Sequence, residues 1–61
     1  MDSAELKRLI AHWQAASRRL NTLKEKRSAL EPGPAAIALE GDIRVAEAEV
    51  EALERKILYG G

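Results

Sequence analysis

Near the middle of the chain, Glu31-Pro32-Gly33-Pro34 interrupts what is otherwise one continuous helical pattern. The two prolines lack backbone donors and restrict the residues before them, so no α-helix passes through this tetrapeptide. Gly33 supplies backbone angles closed to other residues for a tight reversal. Pro34 stands where the first turn of a following helix tolerates it, because that position has no intrahelical amide partner. At the front, Asp2 or Ser3 can cap a helix, and Asp2 with Glu5 approximates a capping box. The expectation is a first helix over residues 3–31, a turn at 32–33 and a second helix over 34–59.

Both halves carry the same repeat. In the first, Leu6, Leu9, Trp13, Ala16, Leu20, Leu23, Arg27 and Leu30 alternate spacings of three and four, and only Arg27 breaks the apolar stripe. In the second, Ala36, Leu39, Ile43, Ala46, Val50, Leu53 and Ile57 continue the pattern. Strands need alternation by twos, which neither half shows. Gly41 inside the second stripe costs ~1 kcal/mol relative to alanine. The heptad runs on across it, so one unbroken helix is expected there. The fold class is therefore all-α, a two-helix antiparallel coiled-coil hairpin forming a single domain over residues 1–61.

Folding at the turn sets Leu9 against Ile57, Trp13 against Leu53, Ala16 against Val50 and Leu20 against Ala46. The same register sets Leu23 against Ile43, Arg27 against Leu39 and Leu30 against Ala36. Charge agrees with this pairing. The half up to Glu31 holds seven basic and four acidic residues, the remainder three and six, so the halves carry +3 and −3. Flanking positions are expected to bring Lys24 near Glu40, Arg19 near Glu49 and Lys26 near Asp42, contacts that select register more than they add stability.

Composition limits how far such a hairpin stands alone. Of 28 hydrophobic residues 11 are alanine, only Trp13 and Tyr59 are aromatic, and there is no cysteine, so neither disulfides nor a Cys-based zinc site reinforces the core. A two-helix hairpin also leaves one side of each seam residue near water, so association is the expected remedy. A surface for it is offered by Ala38, Gly41, Val45, Ala48, Ala52, Arg55 and Tyr59, a second three-and-four series on the second helix. Ala4, Ala11, Ala15, Thr22 and Ala29 form a weaker counterpart on the first. Small residues at this spacing let helix axes approach, and Ile10, Ile37 and Leu58 lie outside the first seam as apolar anchors. The competing explanation is that alanine fills helix surfaces simply because it is the best helix former. The expected partner is another helical hairpin, identical or related, with dimerisation into a four-helix bundle.

Catalysis finds little footing. The single histidine, His12, has no cysteine to activate and no serine placed beside it, and Pro-Gly-Pro lacks the lysine and spacing of a phosphate loop. No enzyme activity, metal or cofactor is expected. The ten basic and ten acidic residues balance, giving no global field for nucleic acid or an anionic membrane. Apolar stretches of a few residues fall far below the ~20 that span a bilayer. Met1 is followed by an acid rather than by a basic and then hydrophobic signal, so a cytoplasmic chain is expected. The alternative function is a Rop-like dimeric RNA-binding protein, similar in size and architecture, with Lys7, Arg8 and Arg18 on phosphate. It is disfavoured because the basic residues wrap round the helix instead of forming one face. The ending Tyr59-Gly60-Gly61 is similar to the diglycine tail of ubiquitin-like modifiers, but two glycines also terminate helices ordinarily.

The stretch Arg27-Ser28-Ala29-Leu30-Glu31-Pro32-Gly33-Pro34, followed by Leu39-Glu40, Ile43, Ala46-Glu47, Val50-Glu51 and Leu53-Glu54, resembles helical-hairpin adaptor segments of bacterial multidomain signalling proteins. Those segments sit beside ATPase, caspase-like or TIR domains. The resemblance implies a non-enzymatic coupling module that associates with similar hairpins.

Overall fold

The computed structural model describes residues 2–60 and contains two helices, α1 (Ser3–Ala29) and α2 (Pro34–Tyr59), packed against each other. Asp2 begins α1: its side chain accepts a 2.8 Å hydrogen bond from the Glu5 amide, and its carbonyl accepts the Leu6 amide at 3.0 Å. The helix ends at Ala29 and not at residue 31. Glu31 precedes Pro32, which disfavours helical angles at that residue, and the extended backbone already begins at Leu30 with ψ 142°. The connection thus occupies residues 30–33.

Gly33 also departs from expectation. Its φ of 163° is extended backbone that any residue adopts, and a Cβ there would meet nothing within 4 Å. What stands before Pro34 is an extended residue, as proline requires of its predecessor. The special geometry belongs to Gly60, which closes α2 at φ 74° and donates its amide to the Lys56 carbonyl at 3.1 Å. Helix α2 passes Gly41 unbroken.

The buried residues are Ala16, Ala36, Ala46 and Leu53, and Leu53, 5% exposed, is the one large side chain among them. Around them Leu9, Trp13, Leu20, Leu23, Leu39, Ile43, Val50 and Ile57 are half-buried, all on the heptad stripe. At the two ends of the seam Leu6 and Leu30 remain 37% and 39% exposed, because the opposing helix ends there and nothing covers their outer sides. The result is a rod of 46 × 14 × 11 Å. Its radius of gyration, 14.1 Å, exceeds the ~10.5 Å that size scaling assigns to a compact chain of this length. The molecule is all seam and flank.

Candidate functional site

With so little buried, the chemistry available to the hairpin lies along the two flanks of its seam. One flank is marked by Arg27 and Trp13 of α1 reaching Glu40 and Glu54 of α2. The Arg27 Nε and Nη2 donate to the same Glu40 oxygen at 2.9 and 2.7 Å, and the Trp13 indole N–H donates to Glu54 Oε1 at 3.2 Å. Fourteen residues separate the two donors and fourteen separate the two acceptors. The antiparallel register therefore holds without a slip over two heptads.

These contacts replace an expected one. Glu40 is engaged by Arg27 and not by Lys24, since a guanidinium already in the seam reaches the carboxylate beside its layer partner Leu39 without crossing open water. Glu54 stands in the same relation to Leu53, the layer partner of Trp13. The two contacts share one offset: a polar group in the seam turns outward to the next residue of the opposing helix.

On the other flank, Glu49 Oε1 lies 3.2 Å from His12 Nε2, with both side chains exposed. His12 occupies the helix surface there and takes the place expected for Arg19. Among the described residues the ion pair is Arg27–Glu40, and Glu49 is met by the His12 imidazole, so neither Arg19 with Glu49 nor Lys26 with Asp42 is joined. These four charged residues instead border open grooves. Arg19, Asp42, Val45, Ala46 and Glu49 line one near mid-length, and a second, larger one of about 560 Å³ runs toward the turn between Lys26, Leu30, Ala38 and Asp42. The two grooves share Asp42 and follow one another along this flank, and together they are called the trough.

A third groove, of about 320 Å³, sits on the Trp13 flank at the end away from the turn and is walled by Ile10, Trp13, Glu54, Ile57 and Leu58. The residues expected to associate are thereby divided. Ile10 and Leu58 line this end groove, while Ala38 and Val45 line the trough of the opposite flank. Gly41, Ala48, Ala52, Tyr59 and Ile37 are exposed outside all three, Tyr59 at 81% and Ile37 at 68%. Sequence reasoning placed Ala38, Gly41, Val45, Ala48, Ala52 and Tyr59 on one periodic series, with Ile10, Ile37 and Leu58 as anchors outside the seam, but left the flanks unassigned.

Two polar details complete the site. Thr22 and Ser28 return their hydroxyls to the carbonyls of Arg18 and Lys24, four residues back. The Ser17 hydroxyl is buried at the seam margin with no hydrogen-bond partner among the described residues. Lys7, Arg8 and Arg18 stand exposed on α1. Among the described residues no three His, Cys, Asp or Glu side chains are grouped to hold a metal ion, and no helix is long and apolar enough to cross a membrane. Of the diglycine ending, Gly60 is the helix cap described above, and Gly61 lies outside the described residues. No protein family, curated protein or solved structure matches the chain.

Proposed function

We propose that the hairpin is a non-enzymatic association module, which binds another helical hairpin, a second copy or a related chain, and completes a four-helix bundle with it. The observation that carries this reading is unburied surface. The chain exposes 4730 Å², whereas a compact monomer of 6.7 kDa is expected to expose ~3,900 Å². The excess of ~800 Å² equals one partner's share of a standard protein–protein interface. A seam in which only one large side chain is buried is what remains when half of a bundle is taken alone.

In this reading the hairpin serves in the cytoplasm as an adaptor, recruiting or clustering whatever is joined to it, as the resemblance to bacterial adaptor segments implies. Its working part is a surface and requires no cofactor. RNA binding by Lys7, Arg8 and Arg18 draws no comparable support, since Arg27 is tied to Glu40 and Arg19 and Lys26 border carboxylates.

Sedimentation equilibrium combined with thermal unfolding over a hundredfold range of concentration tests the proposal. Association with a melting temperature that rises with concentration is expected, because binding to the folded form stabilises it by mass action. A monomer that stays fully folded and equally stable across the range, with no gain from a related hairpin, removes the reading.

A further inference from the structure

The flank that carries the trough is asymmetric in charge. Its α1 row runs Glu5, His12, Arg19, Lys26 and its α2 row Asp42, Glu49, Lys56, and the members that border the trough are Arg19 and Lys26 on α1 and Asp42 and Glu49 on α2. Among the described residues Arg19 and Lys26 make no ion pair, although both border grooves that contain Asp42. Outside the charged rows, at the same seven-residue spacing, lie Ala15, Thr22 and Ala29 on α1 and Ala38, Val45 and Ala52 on α2. Here an open trough with small apolar walls is rimmed by cations on one helix and anions on the other.

Such a surface is complementary to itself. Turning a second copy by 180° about an axis parallel to the helices lays its α1 on this copy's α2, and its α2 on this copy's α1, at matched heights. Arg19 then faces Glu49 of the second copy, and Lys26 faces Asp42. Thr22 lies over Val45 of the second copy, with Ala15 over Ala52 and Ala29 over Ala38. Small side chains at these crossings permit close approach of the helix axes. A twofold axis across the helices would stack α1 on α1 and α2 on α2, setting the basic rows together and the acidic rows together, an arrangement that like-charge juxtaposition disfavours.

The opposite flank does not offer the same fit. It presents Glu40, Glu47, Glu51 and Glu54 from α2, and two of these are already engaged by Arg27 and Trp13. Under the same axis these glutamates would face the α1 row of the second copy on that flank, Ile10, Ser17, Lys24 and, just past the helix end, Glu31, which sets a single cation against them. Resting on the association reading above, we infer that the trough flank is a self-docking surface for a second copy of this chain, with α1 of each copy seated on α2 of the other. Every adjacent pair in the resulting bundle is antiparallel and opposite in charge, and like helices occupy the diagonals.

Charge exchange and cross-linking test this. Arg19→Glu with Lys26→Glu in one chain, and Asp42→Lys with Glu49→Lys in another, are each expected to weaken self-association at least tenfold by sedimentation. An equimolar mixture of the two is expected to restore a dimer containing one of each. The native chain has no cysteine, so Thr22→Cys and Val45→Cys single variants give a second measurement that leaves the charges untouched. Mixed in a glutathione buffer, they are expected to form 22-to-45 disulfides in preference to 22-to-22 or 45-to-45. A parent dimer indifferent to both charge variants, or one that cross-links 22 to 22, overturns this docking mode and leaves the association reading standing. A parent chain that is monomeric and stably folded throughout overturns self-docking altogether.

Discussion

Leu53→Ala is the substitution whose cost the structure defines best. Leu53 is 5% exposed and is the one large side chain buried in the hairpin, set in the layer of Trp13. Truncation to alanine removes three carbons from a nearly water-free position, at ~0.8 kcal/mol for each buried methylene, or about 2.4 kcal/mol. Measured Leu→Ala costs in cores run from ~2 to 5 kcal/mol, the upper part of which reflects cavities that cannot collapse. Here the neighbours Trp13, Val50 and Ile57 are half-buried and free to settle inward, so the lower end applies. The expected loss is ~2–3 kcal/mol. In a chain of this size that lowers the melting temperature by ~10–20 °C. Far-UV circular dichroism during heating, at equal protein concentration for every variant, reads the shift. Ile37→Ala, at a position 68% exposed on the same helix, is the matched control and should stay within ~0.5 kcal/mol of the parent. A Leu53→Ala cost below 1 kcal/mol, or one equal to that of Ile37→Ala, would refute the view that the heptad seam holds the helices together.

Other substitutions probe separate features. Gly41 lies within α2 and a Cβ there meets open space, so Gly41→Ala should stabilise by ~0.5–1 kcal/mol in urea unfolding and leave association unchanged. Arg27→Met exchanges a partly exposed ion pair for an apolar side chain at a seam position, and thermal melts should place it within ~1 kcal/mol of the parent, with stabilisation the expected sign. Ser17→Ala removes a buried hydroxyl that has no partner among the described residues and improves helix propensity, so a gain of ~0.5–1 kcal/mol is expected. Ala52→Glu introduces charge on the docking flank and should reduce association in sedimentation while helicity is retained. Ala48→Glu, on the outer face, should leave both association and helicity unchanged.

The two helices and the residues between them were legible because a seven-residue repeat is a geometric statement: every half-buried or buried apolar residue of the seam sits on the stripe read from the chain. Charge partners were not legible to the same degree. Lys24, Arg27 and their neighbours have long stems that reach more than one carboxylate, and which pair closes depends on whether the stem already lies in the seam, as Arg27 does, or must cross water, as Lys24 would. The end of α1 was misplaced by two residues because the restriction that Pro32 imposes on Glu31 is accompanied by extended backbone at Leu30 as well. Glycine spoke ambiguously at all three described positions. Gly41 is helical, Gly33 extended and Gly60 left-handed, and the residue type alone permits each. For the candidate site, the periodic series of small residues was visible, but their division between two flanks followed only from the contacts of Trp13, Arg27 and His12.

The short reversal at residues 30–33 has a topological consequence. Because α1 and α2 are nearly equal in length, Asp2 and Gly60 emerge at the same pole of the rod, and the turn occupies the other, 46 Å being the rod's greatest extent. In a pair related by an axis along the helices, all four helix termini remote from the turns lie at one pole. Cargo fused to either end of either copy would be gathered on one side, like stems held at the same end of a bouquet. A pair related by an axis across the helices would send its cargo out in opposite directions and hold it a rod's length apart. The choice of symmetry axis would therefore set whether groups joined to the ends of two such hairpins are gathered or spaced.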